Sequence, residues 1–207
     1  MTVAEPAFEM LILSPELAGT LMSPDEFDSV EDWDDDYTYE LINGVLVVTP
    51  PVSDRERGPN DELGHLLRTY RDNHPKGHCL DLTLFESLVC TPNNRRRADR
   101  VIWVGLGRTP NPIRDIPTIA VEFVSEGKRN RRRDYLAKRE EYMAAGVREY
   151  WIFDRFRRIL TVVRPNEPDV IVKETESYRT PLLPGFELPL HKLLSVADSL
   201  EQSASDD

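Results

Sequence analysis

Glu122 lies in the run Ile119-Ala120-Val121-Glu122-Phe123-Val124, which is apolar on both faces apart from this one carboxylate. Such a run suits a central strand buried on both sides. A carboxylate placed there is costly unless it meets a cation or a hydrogen-bond donor. Pairing with an Arg is the ordinary outcome; binding of another cation is the chemical one. Asp99 opens the apolar stretch Arg100–Val104, directly after Arg95-Arg96-Arg97-Ala98. An Asp at that point is often only a turn residue. Glu40, in Tyr39-Glu40-Leu41-Ile42, is a third acid at a predicted strand and reads equally as a solvent-facing Glu in a half-buried hairpin. Lys138 supplies an amine. On a helix, Asp134, Lys138 and Tyr142 stand at i, i+4 and i+8 and share one stripe. Lys138 falls at the rim of the apolar arc of Tyr135, Leu136, Tyr142 and Met143, where a lysine that merely snorkels is common.

The elements that must position these groups follow from local pattern. Ser23-Pro24-Asp25-Glu26 predicts a short helix with Ser at the N-cap, Pro at N1 and Glu at N3. Tyr39–Ile42 and Val45–Thr49 flank Asn43-Gly44, a strong hairpin signal. Leu63, Leu66, Leu67 and Tyr70 predict an amphipathic helix from about Asn60 to Asn73. Strands are expected over Cys79–Cys90, bent or bulged, and over Arg100–Val104 and Thr118–Ser125. A helix from Arg131 to Ala145 should stop at Gly146. Arg148–Asp154 and Arg158–Val163 read as a further strand pair, Val170–Lys173 as a short strand, and Leu188–Leu194 as a short helix. Strands with helices interposed give a mixed α/β domain over residues 22–195, with an acidic lead-in over 1–21 and a polar tail over 196–207.

Charge is unevenly distributed. The chain has 207 residues and a net charge of -11, yet residues 1–40 hold 12 acids and no Lys or Arg, while residues 41–160 hold 22 Lys+Arg against 16 acids. Lys128-Arg129-Asn130-Arg131-Arg132-Arg133 places five cations at the start of the predicted Lys138 helix. A helix N-terminus favours anions, so helix stability does not explain them. A phosphate-bearing partner would, because side chains and free N–H groups could grip it together; a solvated charge run is the alternative. Arg95, Arg96 and Arg97 could extend such a patch. Two Cys in the whole chain exclude a disulfide scaffold and fit a reducing cytoplasm. No apolar run reaches the length of a membrane helix, and the first twenty residues lack the basic start of a secretory leader.

In chain order, these pieces resemble a known arrangement. Tyr39-Glu40-Leu41-Ile42-Asn43-Gly44, Arg97-Ala98-Asp99-Arg100-Val101 and Ala120-Val121-Glu122-Phe123-Val124-Ser125 are followed by Asp134-Tyr135-Leu136-Ala137-Lys138, Tyr142 and Gly146-Val147-Arg148-Glu149-Tyr150-Trp151. Leu183-Pro184-Gly185-Phe186 closes the set. The chain is similar to the PD-(D/E)XK nuclease superfamily and, within it, to the Uma-type restriction endonuclease family, over about residues 22–195. The resemblance implies a restriction-endonuclease-like mixed β-sheet flanked by helices, with an N-terminal β-hairpin. It implies that Asp99 and Glu122 are the metal-binding acids of the core motif and that Glu40 is the additional N-terminal acid. It implies that Lys138 is the catalytic lysine in a migrated position, since Val124 occupies the strand site two after Glu122. The family commonly has Pro where this chain has Ala98, a second Glu where it has Val45, and a His where it has Ser53-Asp54-Arg55-Glu56-Arg57.

The implied reaction is hydrolysis of phosphodiester bonds in nucleic acid, with DNA as the expected substrate. Mg²⁺ or Mn²⁺, held by Glu40, Asp99 and Glu122, would be the cofactor. Mg²⁺ takes oxygen ligands and keeps several waters, so a few carboxylates suffice. Lys128, Arg129, Arg131, Arg132 and Arg133, with Arg95, Arg96 and Arg97, are the expected nucleic-acid contacts. A homodimer, which would let two sites cut both strands, stays open. The alternative is a catalytically inactive nuclease-fold protein that binds nucleic acid or serves assembly. A small-molecule metallohydrolase is weakened by the absence of a His/Cys ligand cluster.

Overall fold

The computed structural model describes residues 11–127 and 132–203. The described residues fall into two compact units: those up to Pro51 together with Pro92–Arg95, and Val52–Thr91 together with those from Arg96 onward.

The first unit contains β1 (Ile12–Leu13), α1 (Pro24–Asp28), β2 (Asp32–Trp33), β3 (Thr38–Ile42) and β4 (Val45–Thr49). Helix α1 carries the expected reciprocal cap: Glu26 N donates to Ser23 Oγ at 3.2 Å and Ser23 N donates to Glu26 Oε2 at 2.7 Å. Strands β3 and β4 pair antiparallel across Asn43-Gly44, whose φ values are 52° and 76°, as a two-residue hairpin turn requires. Of the expected lead-in over 1–21, residues 1–10 lie outside the described residues and residues 11–21 belong to this unit. Strand β1 pairs parallel with β2. Gly19 N donates to Leu46 O and Met22 N to Gly44 O, each at 2.8 Å. Main-chain bonds hold this segment, so no side-chain periodicity announces it.

The second unit is a sheet in the order β10-β9-β8-β7-β6-β5. Its strands are β5 (Leu80–Cys90), β6 (Arg95–Val104, whose first residue belongs to the first unit), β7 (Ile119–Phe123), β8 (Glu149–Asp154), β9 (Ile159–Val163) and β10 (Val170–Lys173). The expected bend in β5 is at Glu86, where φ is 44°. Strands β7 and β8 run parallel, while β6–β7, β8–β9 and β9–β10 run antiparallel. Parallel neighbours require a crossover connection. It is helical: a π-helical segment, Arg133–Ala137, continues into α3 (Lys138–Ala145).

One face of the sheet buries Ile119, Val121 and Phe123 against Leu63 and Leu67 of α2 (Asp54–Asn73) and Leu190, Leu193 and Leu194 of α4 (Leu190–Ser203). The other face buries Ala120, Val124, Tyr150 and Ile152 with Tyr142 of the crossover helix. Helix α2 begins at Asp54 rather than near Asn60, because Ser53 N donates to Glu56 Oε2 at 3.1 Å and caps it there. Gly58-Pro59, locally a helix breaker, lies inside it. A Cβ on Gly58 would stand 2.5 Å from Leu200 Cδ1, so Gly58 is what lets α4 approach. The expected closing helix is likewise displaced. Leu188–Pro189 forms β12 with β11 (Ser177–Tyr178), and α4 continues to Ser203 through part of the predicted tail. Among the described residues, no helix is long and apolar enough to cross a membrane.

Candidate active site

The register of β6 against β7 pairs Arg100 with Val121. Asp99 precedes Arg100 and Glu122 follows Val121, so by strand alternation both acids project from the face opposite to Arg100 and Val121. Ile119, Val121 and Phe123 take the face under α2 and α4, so alternation sends Glu122 to the face covered by the crossover helix. That helix supplies what a buried carboxylate needs. Lys138 Nζ donates to Glu122 Oε2 at 2.8 Å, and Tyr142 OH donates to Glu122 Oε1 at 3.0 Å. Lys138 Nζ also donates to the main-chain carbonyl of Arg97 at 2.8 Å, two residues before Asp99. Asp99 Oδ2 accepts from Phe123 N at 2.5 Å. Asp99, Glu122 and Lys138 are thus gathered by β6, β7 and the crossover helix.

Burial dominates the electrostatics. Glu122 is 1% exposed and Lys138 3%. Burial drives the Glu122 carboxyl well above its usual range; the Lys138 ammonium offsets part of this, and the nearby charge of Asp99 adds to it. Asp99 is pushed up to about 7, mainly by burial, against the opposing influence of Lys138 and the Phe123 N–H. Both acids therefore resist ionisation chiefly because they are buried.

The π-helical segment sits immediately before Lys138. Lys138 N donates to Arg133 O, an i→i+5 bond. Such turns recur at functional sites in helices. Asp134, Lys138 and Tyr142, one stripe by their spacing, are all buried, and Lys138 does not snorkel from the rim. Asp134 Oδ1 accepts from Arg133 Nε at 3.0 Å, and its main-chain carbonyl accepts from Tyr150 OH at 2.9 Å.

On the opposite face, Asp99 is fixed through its backbone. Asn60 Nδ2 donates to the Asp99 carbonyl at 2.7 Å. Asn60 Oδ1 accepts from Arg100 Nε at 2.6 Å, its carbonyl accepts from Arg100 Nη2 at 2.8 Å, and Thr83 Oγ1 accepts from Arg100 Nη1 at 3.1 Å. Arg100 is 2% exposed and is held by neutral oxygens. Gly64 makes room for it: a Cβ there would stand 2.6 Å from Arg100 Nη2. Sequence reasoning assigns no role to Asn60 or Arg100, and it notes Tyr142 on the stripe, in the apolar arc and in the resemblance without a role. The spacing of Tyr142, one turn after Lys138, was the legible signal.

The other predicted residues fall as follows. Glu40 is buried on β3 of the first unit, opposite Val47. Arg95–Arg97 are strand rather than loop, because β6 begins at Arg95. Arg95 is buried with its guanidinium clamped on Asp28, Nε to Oδ1 at 2.7 Å and Nη2 to Oδ2 at 2.6 Å. Arg96 is buried, with Nε on Glu141 Oε2 at 2.7 Å. Arg97 Nη1 donates to Glu86 O at 2.9 Å. This trio therefore does not form an open basic loop. Arg132 is exposed and Arg133 half-buried; Lys128, Arg129 and Arg131 lie outside the described residues. His74 and His78 have H-x-x-x-H spacing, but α2 ends at Asn73 and Pro75 and Gly77 interrupt the chain between them. Among the described residues, no three His, Cys, Asp or Glu side chains form a group suited to a metal ion.

Two comparisons bear on the chain's family and fold. Residues 24–191 match the Uma2 family, described as "Putative restriction endonuclease". A crystal structure described as a "putative nuclease belonging to DUF820" from Anabaena variabilis ATCC 29413 superposes with a TM-score of 0.69 at 13% sequence identity. The superposition covers 85% of this chain and 99% of that one. At that identity the likeness concerns the fold, a mixed sheet flanked by helices. No curated protein sequence matches. With the matched stretch spanning most of its length, the chain belongs to the Uma2 family.

Proposed function

We propose that the protein is a divalent-metal-dependent endonuclease that hydrolyses phosphodiester bonds in DNA, using Asp99, Glu122 and Lys138. The observation that carries this reading is the convergence of two carboxylates and a lysine at the end of β7. Fold resemblance alone would not distinguish an enzyme from a binding protein.

The donors suit a hard cation. Mg²⁺ and Mn²⁺ prefer carboxylate and carbonyl oxygens. Asp99 commits Oδ2 to Phe123 N. Each Glu122 oxygen accepts one side-chain hydrogen bond, and a carboxylate oxygen has a second lone-pair direction. Burial raises both acids, and a bound cation would favour their charged forms. Asp99 and Glu122 would hold the ion, with Glu40 left outside this reading because it belongs to the first unit. When bound, such an ion supplies an acidified water and shields charge on the phosphoryl oxygens. The Lys138 ammonium adds fixed positive charge beside the reacting phosphate, where charge develops. Tyr142 and Lys138 together fix the orientation of Glu122.

The test is cleavage of plasmid and linear DNA, and of RNA as comparison, with Mg²⁺ or Mn²⁺ and with chelator. Wild-type cleavage that requires the ion and disappears in Asp99→Ala and Lys138→Ala is expected. Equal products from wild type and both variants would remove the assignment. Nucleic-acid binding without cleavage or metal affinity would move the protein to the inactive, binding class.

A further inference from the structure

The turn after β8 carries basic and aromatic residues that the proposed reaction does not use. Val124 N donates to Phe153 O at 2.8 Å, so Asp154-Arg155-Phe156-Arg157-Arg158 departs from the sheet at the end where β7 delivers Glu122. The turn is tied to the crossover helix. Tyr135, three residues before Lys138, donates from its hydroxyl to Asp154 Oδ2 at 3.3 Å. The Arg157 guanidinium lies 5.9 Å from the centroid of the Tyr135 ring, and Arg157 N donates to Asp154 Oδ1 at 3.0 Å.

The cations here differ in what they do. Arg158 is bound to Glu174 and Asp198, and Arg155 to Glu201. The exposed guanidinium groups of Arg132 and Arg157 form no ion pair with a carboxylate among the described residues. Between them in function stands Phe156, 40% exposed, with the Arg155 guanidinium 4.3 Å from its ring centroid. Ion pairing accounts for Arg155 and Arg158 but not for Arg132 or Arg157, and Phe156 keeps 40% of its surface exposed. Cations with an aromatic ring beside a phosphodiester-cleaving site match a chain of phosphates and bases in charge and shape.

We propose that Arg132, Phe156 and Arg157 form a docking surface for an unpaired nucleic-acid strand beside the Lys138 site. The arginines meet phosphates, and Phe156 meets a base, which offers a face to a ring only when it is outside a duplex. This rests on the nuclease reading and adds the strandedness of its substrate.

Binding of a fluorescein-labelled single-stranded oligonucleotide, followed by anisotropy in chelator, tests this without turnover. Phe156→Ala and Arg157→Ala should each weaken binding about tenfold, the range of one stacked base. Arg157→Ala and Arg132→Ala should each lower the slope of log affinity against log salt by about one. On a duplex of the same sequence, Phe156→Ala should bind as wild type does. Arg148→Ala, an exposed arginine before the opposite end of β8, should change neither. Wild-type affinity for the single strand in both Phe156→Ala and Arg157→Ala overturns the surface, whether or not the protein cuts DNA. Loss of binding in these variants with no cleavage by wild type keeps the surface and rejects the nuclease. No binding by wild type rejects the surface.

Discussion

Lys138 Nζ lies 2.8 Å from Glu122 Oε2 with both side chains sealed from solvent. A pair so buried loses its hydration and recovers it only through close, well-bonded partners. Here each member has a second one: Tyr142 for the carboxylate and the Arg97 carbonyl for the ammonium. Removing one charge strands the other, whereas replacing both leaves neither unpaired.

Lys138→Met is therefore expected to destabilise the fold by roughly 3–5 kcal/mol, the usual result of breaking a buried pair. Lys138→Met combined with Glu122→Gln should lose clearly less than the sum of the two single changes. Urea unfolding of the four proteins in a double-mutant cycle measures this. Additive losses would mean that the two side chains do not interact in solution.

Asp99 predicts a pH dependence. Its folded value is about 7, against about 3.9 in an unfolded chain. Between these values the folded state keeps a proton that the unfolded state has lost, so this group's contribution to stability falls as pH rises from about 4 to 7. Asp99→Asn can still accept from Phe123 N but carries no charge. Its stability relative to wild type should increase across that window by on the order of 2–4 kcal/mol. Thermal melts at pH 4.5 and 7.5 supply the comparison, and a gap that stays constant would contradict it. At pH 7.5, Mg²⁺ or Mn²⁺ should raise the melting temperature of wild type and not of Asp99→Asn, since only a ligand that prefers the folded state stabilises it.

Tyr142→Phe isolates one hydroxyl. The ring packs edge-on against Tyr150, with centroids 5.2 Å apart, and that packing survives the change. What disappears is the donor to Glu122 Oε1, leaving that oxygen buried with one partner fewer. A stability loss of about 1–3 kcal/mol follows. If Tyr142 orients Glu122 for metal binding, the variant should also need more Mg²⁺ for half-maximal cleavage while keeping its activity at saturating metal. An unchanged Mg²⁺ requirement would restrict Tyr142 to a structural role.

Much of this arrangement could be read from residue order. The two-sided apolar run around Glu122, the Asn43-Gly44 turn and the capped start at Ser23 are local patterns, and each forms where its pattern says. What was not legible depended on partners distant in sequence. Gly58-Pro59 looks like a helix stop until Leu200 packs over Gly58. Arg95 and Arg96 look like a basic loop until Asp28 and Glu141 are placed against them. Tertiary contacts override local propensity in each case. Glu122 was legible as a costly charge in a two-sided apolar strand, whereas Asp99 and Lys138 became candidates through the resemblance. The support of the site was not legible, because Asn60 is an unremarkable polar residue on a helix until Arg100 reaches it.

That support yields the last prediction. Asn60 joins the Asp99 carbonyl to a buried guanidinium that donates to neutral oxygens. Burial lowers the Arg100 value to about 10, so the group stays charged at neutral pH and needs every acceptor it has. Asn60→Ala removes one of them and also unpairs the Asp99 carbonyl. A loss of roughly 2–4 kcal/mol is expected, from a buried cation and a buried carbonyl each left short of a bond. Gly64→Ala should give a comparable loss by a different route, because the new methyl occupies the space of Arg100 Nη2. Combining Gly64→Ala with Arg100→Met, which shortens and neutralises the intruding side chain, should recover part of that loss. Chemical denaturation of these variants distinguishes a specific clamp from general loosening of α2. No recovery in the double variant would show that Gly64 is required for some reason other than Arg100.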